Sequence, residues 1–322
     1  MREVMQLFVL TIVLLSSAIA GAAQPYPSKP LRFIVPFAPG GGNDIIARVI
    51  GQKLSERWGT QVVVDNRPGA GGNVAAEITA KAAPDGHTVF QFNIANVIAV
   101  GLYKKLSYDP VRDFSPVTQL ASSPFLLVIN PAVKAATTQE FMVLAKTQPG
   151  KLNYGSSGNG GSTHLAMELM KSMANINLVH VPYGGAGPAL PDLISGQVQA
   201  LFTTPLTAVP HVKSGRLRSL GVSSAKRIAM LPEMPTIAES GVPGYESSAW
   251  YGVVVPARTP RDIVMHINTE LVRILRDKEM IERMSSQGVD LVGNSPEAFG
   301  QFIKSEIAKW VKIVKASGAI VD

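Results

Sequence analysis

The 322-residue chain has no cysteine. Disulfide scaffolds, thiolate metal sites and cysteine nucleophiles are excluded, and so is a lipid anchor on an N-terminal cysteine. Its five histidines (His87, His164, His180, His211, His266) are dispersed and form no H-x-x-x-H or H-E-x-x-H pair. A zinc site therefore has no ligand set, and no metal or cofactor is expected. Charged residues are only 16% of the chain, 30 basic among 23 acidic, with no dense basic block. That pattern reads as a solvated surface and excludes a nucleic-acid stripe; the net charge of +7 mildly favours anionic solutes. No paired carboxylates suggest general acid and base work.

The apolar run at 7–20 falls short of the roughly 20 residues that spanning a membrane needs. It is followed by the small residues Gly21-Ala22-Ala23 and then Gln24-Pro25, and preceded by a thin basic region, Arg2 beside Glu3. This is the layout of a secretory signal at 1–23, cleaved after Ala23. A cysteine-free exported chain of about 300 residues fits a soluble periplasmic protein with two lobes of about 100–200 residues each.

Residues 31–48, LRFIVPFAPGGGNDIIAR, organise the rest. The apolar Leu31, Phe33, Ile34 and Val35 have strand character. The run breaks at Pro36, passes Pro39 and Gly40-Gly41-Gly42, and gives way to helical spacing at Ile45, Ile46, Val49, Ile50 and Leu54. A strand, glycine loop and helix in that order bring bare amides to a helix N-terminus, where an anion is favoured. The same order recurs at 152–173: a short strand, then Gly155-Ser156-Ser157-Gly158-Asn159-Gly160-Gly161-Ser162, then Leu165, Leu169 and Met173 on one helix face.

Between and beyond these loops, strands are expected at 61–65, 87–92, 125–130, 177–182, 198–202, 217–222 and 250–255. Helices are expected at 73–82 and 138–147, after Thr259-Pro260 as cap and first residue, and from Ser295-Pro296-Glu297 to a stop at Gly318. Residues 104–116, with scattered charges and prolines, read as a connection. The alternation predicts an α/β fold of mostly parallel sheets flanked by helices. Chain crossings near 122–125 and 249–252 divide it into one lobe of 24–124 plus 252–322 and a second of 125–251. The cleft between them lies off the carboxyl ends of the strands, with one glycine loop on each side.

Other chemistries fail on particular residues. Gly155–Ser162 resembles a P-loop, but Gly161 stands where the phosphate-reaching lysine belongs. The first loop lacks G-x-G-x-x-G spacing. A serine hydrolase would use Ser156 or Ser157 with His164, yet the G-x-S-x-G elbow is incomplete and no orienting carboxylate is evident. Amides at Gly40, Gly41, Gly42 and Asn43 on one side, and at residues 157–163 on the other, can instead hold a carboxylate. Hydroxyls of Ser156, Ser157, Ser162 and Thr163 add donors. Neutral donors avoid burying an arginine charge when the site is empty. At roughly 1.5–3 kcal/mol per bond to a charged group, several reach the about 8 kcal/mol of micromolar binding. Asn43 is expected as the N-cap, Asp44 as a structural brace, and Phe37 and Tyr183 as apolar walls. Gly41 is the position where a larger side chain should block the loop.

In their order, the blocks YPSKPLRFIVPFAPGGGNDIIAR from Tyr26, VVDNRPGAGGN from Val63, PDGHTVF from Pro84, NYGSSGNGGSTHLAMELM from Asn153, VPYGGAGPAL from Val181, PTIAESGVPGYE from Pro235 and WYGVVVPARTP from Trp250 resemble the Bug-type solute receptors of tripartite tricarboxylate transporters. The resemblance covers nearly the whole mature chain. It implies a two-lobed periplasmic binding protein of the type II fold, not an enzyme, that closes on a small organic acid. It implies delivery to a membrane permease of one large and one small subunit; a sensing role toward a membrane sensor kinase is the alternative. The family's contacts carry over to Pro39–Asp44 and Ser156–His164, Gly158 and Gly160 included, to Asn93 and Asn96 after the third strand, and to Thr203 and Thr204 after Phe202. Where amino-acid-binding members have an aspartate, this chain has Thr203-Thr204, which favours a plain carboxylic acid. His87 and Phe92-Asn93-Ile94 also depart from the family pattern.

Overall fold

A computed structural model describes residues 26–317. The signal reading at 1–23 and the helix stop at Gly318 lie outside the described residues.

The chain builds two sheets. The first contains β1 (Leu31–Val35), β2 (Val62–Asn66), β3 (Thr88–Asn93), β4 (Phe114–Pro124), β10 (Ser248–Pro256) and β11 (Asp290–Leu291), in the order β11-β4-β10-β3-β1-β2. The second contains β5 (Leu126–Ile129), β6 (Asn153–Ser156), β7 (Val179–Pro182), β8 (Ala200–Thr203) and β9 (Arg218–Val222), in the order β7-β6-β8-β5-β9. Each has the expected parallel core: β1 runs parallel to β2 and β3, and β6 parallel to β7 and β8. The strands that carry the chain between sheets add antiparallel pairs, β10 with β3 and β4, and β5 with β8 and β9. Both sheets are therefore mixed, because the strands on which the chain enters each sheet, β5 and β10, run against the neighbours on both sides.

The helices are α1 (Gly42–Trp58), α2 (Asn73–Ala80), α3 (Ile94–Leu102), α4 (Thr138–Thr147), α5 (Ser162–Ala174), α6 (Ala186–Ser195), α7 (Pro205–Lys213), α8 (Arg261–Leu275), α9 (Lys278–Ser285) and α10 (Pro296–Ser317). Among the elements that escaped the sequence pattern are α3, β4, α7, α9 and β11. Helix α3, IANVIAVGL, is apolar on nearly every face and so shows no amphipathic period; it is buried at all but two positions. Strand β4 is hidden by Pro116 and Pro124. Pro116 sits at a bulge, where the register slips between Val253 and Val254, so its missing N–H interrupts no regular ladder. The connection expected through 116 accordingly ends at Phe114. Helix α8 starts at Arg261 with Pro260 as N-cap, one residue later than expected, because the Thr259 hydroxyl bonds the Pro256 carbonyl at 2.7 Å. Ser295 caps α10 as expected, its hydroxyl accepting the Ala298 amide at 3.2 Å.

The two crossings are clipped together at Ser223, just after β9. Its hydroxyl accepts the Phe125 amide at 2.7 Å and donates to the Ser247 carbonyl at 2.5 Å. Its backbone takes part in bonds to the same two residues. Ser223 is fully buried. Behind the crossings, the Phe299 ring of α10 lies directly on Gly252 of β10, where an added Cβ would stand 2.0 Å from its Cζ. Gly252→Ala should overpack this contact and lower unfolding free energy by about 1–3 kcal/mol in urea titrations, with Phe299→Leu in the same chain restoring part of the loss.

Candidate ligand-binding cleft

Five helices begin at one cavity between the sheets. Its lining includes Gly41, Gly42 and Asn43 at the start of α1, Asn93 and Ile94 at α3, and Ser162 and Thr163 at α5. Ala186 at α6 and Thr203 and Thr204 at α7 complete the set. Apolar and aromatic groups fill the rest: Phe37, Phe125, Ala249, Trp250 and Tyr251, beside Ser157. Among the described residues no charged side chain lines it. The N-caps of α1, α5, α6 and α7 (Gly41, Gly161, Gly185, Thr204) make no side-chain capping bond. First-turn amides have no acceptor within their own helix, so these ends present N–H groups and positive dipole ends to the cavity.

The two glycine loops are held by the same device. In α1 the third helical residue, Asp44, reaches back and accepts the Gly40 amide at 3.0 Å. In α5 the third residue, His164, accepts the Gly160 amide through Nδ1 at 3.2 Å. Both glycines have positive φ, +88° and +73°, which an L side chain rarely adopts. The Gly40 and Gly160 amides are thus spent on their own loops. Asp44 is 4% exposed; its other partners are Asn66 Nδ2 at 3.0 Å and Arg48. Burial alone would raise its pKa, but hydrogen bonds from Arg48, Gly40 and Asn66 outweigh it and hold the carboxyl below its usual range. This geometry fits a brace. Asn43, expected as the cap, is instead the second residue of α1; Gly41 takes the cap position because the chain is already helical at Gly42. Pro39 and Gly40 are exposed, outside the cavity.

In the second loop, Ser157 and Thr163 reach the cavity and bond each other, the Thr163 hydroxyl accepting the Ser157 amide at 2.8 Å. Ser162 also lines it. Ser156, Gly158, Gly160 and His164 do not. The Ser156 hydroxyl faces the other way, 2.6 Å from His180 Nε2, and accepts the Gly158 amide at 3.1 Å. Ser156 therefore pairs with His180 and not with His164, and the carboxylate beside the two histidines, Glu168, is engaged by Tyr154 and Lys171 and not by either imidazole's hydrogen bonds. Tyr183 also turns away, donating to Asp192 at 2.6 Å; burial and that acceptor push its hydroxyl up to about 12. Asn96 is fully buried and braces α3: its Oδ1 accepts the Asn93 amide at 3.0 Å while Asn93 Oδ1 accepts that of Ala95 at 2.9 Å.

Sequence reasoning missed Ile94, Phe125, Ala186, Ala249, Trp250 and Tyr251. Most belong to the crossings or to α3, and their side chains read as ordinary core. Three lining side chains carry buried polar atoms without a partner: Asn43 Oδ1, Asn93 Nδ2 and Thr203 Oγ1.

The lobes touch through a glycine seam. The Ala38 amide donates to Gly184 O at 2.9 Å, and a Cβ on Gly187 would stand 2.1 Å from Pro39 O. Gly41 has room for a Cβ, 3.7 Å from Ala186, whereas at Gly42 one would meet Thr204 Oγ1 at 2.8 Å. Between the first glycine loop and its neighbours the tight positions are therefore Gly42 and Gly187, not Gly41. The cavity's free volume is about 30 Å³, room for roughly two waters. A hollow of about 390 Å³ lies on the outer face of the first sheet's helices, near Arg261, Glu297 and Lys304. Arg261 and Glu297 neutralise each other there, and none of its lining side chains has a buried polar atom without a partner.

Two lobes of α/β structure around a cleft of helix N-termini define a solute-binding protein. Residues 46–319 match the family described as "Tripartite tricarboxylate transporter family receptor", and the chain belongs to that family. It is 39% identical over 300 residues to the "UPF0065 protein in tcbD-tcbE intergenic region" of Pseudomonas sp. strain P51, covering 93% of this chain and 89% of that protein. It is 34% identical over 317 residues to BugT of Bordetella pertussis, covering 96% and 97%. Among solved structures, Rpa4515 of R. palustris, described with adipate, superposes with a TM-score of 0.88 at 35% identity, covering 92% of this chain and all of that one.

Behind the second loop, His164 and His180 stack with ring centroids 4.0 Å apart, beside Tyr154, Glu168 and Lys171. Burial pushes both imidazoles below their ordinary 6.5, His180 to about 4 with His164 adding repulsion. Between these values the unfolded chain binds protons that the folded chain does not, so acid favours unfolding. The melting temperature should therefore be highest above pH 6.5 and fall as pH is lowered toward 4. In a calorimetric pH series, His180→Gln should flatten the fall within that window.

Proposed function

We propose that this chain is a periplasmic receptor that captures a small carboxylic acid between its lobes and delivers it to a membrane permease of one large and one small subunit. The observation that carries this reading is the convergence of five helix N-termini on a cavity with no charged side chain. A carboxylate there accepts from first-turn amides at Gly42 and Asn43 and at Ser162 and Thr163, with Ser157 and Thr204 beside them. The amides are neutral, so the empty cleft buries no unpaired charge. The lobes are taken as 24–124 with 252–322, and 125–251, and the periplasmic location rests on the N-terminal signal pattern. The adipate of Rpa4515 supports a carboxylate ligand. Closure follows from differential affinity: the acid bonds both loops only when the lobes meet, and this shifts the population to the closed form.

A thermal-shift screen of mono-, di- and tricarboxylic acids tests the reading. A ligand present at 100 times its Kd should add about 2.7 kcal/mol of stability; no shift with any acid would overturn it. Gly187→Ala tests the closure. Its new Cβ meets the Pro39 carbonyl only in the closed form, so binding should weaken at least tenfold in titration calorimetry while the ligand-free melting temperature stays within about 2 °C of the parent.

A further inference from the structure

Resting on the receptor reading, we infer that the captured acid carries a hydroxyl or oxo oxygen close to its carboxylate, read by Asn93 from one side of the cleft and Thr203 from the other.

Asn93 ends β3 in the first sheet and caps α3; Thr203 ends β8 in the second sheet. They are 2% and 1% exposed, and both line the cavity. Asn93 Nδ2 and Thr203 Oγ1 have no hydrogen-bond partner. The amide orientation of Asn93 is set by its capping role, since Oδ1 accepts the Ala95 amide at 2.9 Å. The group left toward the cavity is therefore an NH2, a donor that requires an acceptor. The Thr203 hydroxyl can donate or accept. A ligand hydroxyl satisfies both residues by accepting from Asn93 and donating to Thr203, and an oxo oxygen does so by accepting from both. An ammonium could donate to Asn43 Oδ1, the third unpartnered atom of the lining, but cannot accept from Asn93 and finds no lining carboxylate to balance its charge; a second carboxylate finds no lining cation. These two groups and the helix N-termini line one and the same cavity, which places the oxygen near the carboxylate and not at the far end of a long acid. Buried polar groups left unpaired are what let a site reject an analogue that lacks the matching oxygen.

Titration calorimetry on the full mature chain with matched pairs tests this: lactate against propionate, malate against succinate, mandelate against phenylacetate. The hydroxy acid of whichever pair binds should bind at least tenfold more tightly than its deoxy partner. Thr203→Val, which keeps the shape and removes the hydroxyl, should bring that ratio to within about twofold. Asn93→Ser, which keeps a capping oxygen while removing the NH2, should do the same. Equal affinities within a pair in the parent chain, or variants that weaken both members alike, overturn the inference and leave the receptor reading standing. Where none of the three pairs binds, the matched pair is drawn from the acids that shift the melting temperature in the wider screen; if no acid there shifts it, the receptor reading is overturned, and this inference with it.

Discussion

Every α-helix begins with amides that have no acceptor inside the helix, and the architecture of this protein follows from where those amides are left. Outside the cleft some are satisfied by side chains, as Thr137 does for α4 and Asp277 for α9, while α2 and α8 start behind Gly72 and Pro260 with no side-chain cap. At the cleft four helices begin without such a cap, and a fifth begins at Asn93, whose remaining NH2 is also unpaired. Partial positive charge is gathered in one place without any lysine or arginine. The arrangement suits an anion that must be both captured and released. Each free amide is a donor for an anion, yet the lining has no buried full charge to compensate.

Such a site works only if the loops that carry the amides hold their shape. Asp44 and His164 perform this for the two lobes from equivalent positions, each taking the amide of a positive-φ glycine four residues earlier. They differ in what supports them. Asp44 is an anion stabilised by Arg48 and Asn66, whereas His164 must stay neutral for its Nδ1 to accept, and it rests on a second buried histidine. The two jaws therefore respond to acid over different ranges: the histidine-backed jaw below 6.5, the aspartate-backed one only below the ordinary aspartate value of 3.8.

Closure depends on the absence of side chains. Gly184, Gly185 and Gly187 meet Ala38, Pro39 and Gly40 backbone to backbone, so the lobes approach as nearly as peptide groups allow. The crossings between the lobes, which the proposed closure would flex, are joined at Ser223, which binds both Phe125 and Ser247. A buried clip between two adjacent strands confines motion to a hinge, because sliding one crossing past the other would break its bonds.

The sequence by itself determined the local units. The apolar run into Gly40-Gly41-Gly42 and the glycine-serine run before Leu165 are both strand, loop and helix, and the period of the apolar residues makes them so. It also determined the chemistry available, since a cleft from this chain could offer amides, hydroxyls and carboxamides but no thiols or clustered histidines. Asp44 as a brace was legible because an acid in a first helical turn near glycines has few other uses. Only the tertiary structure decided which donors face the ligand. Ser156, Gly158, Gly160 and Tyr183 sit among the cavity-lining residues in sequence, yet their polar groups are spent on His180, Ser156, His164 and Asp192. Conversely, Phe125, Trp250 and Tyr251 read as core and became cleft walls because the crossings pass beneath the cavity. A hydrogen bond is allotted by direction and distance across the folded chain, and spacing along a sequence carries neither.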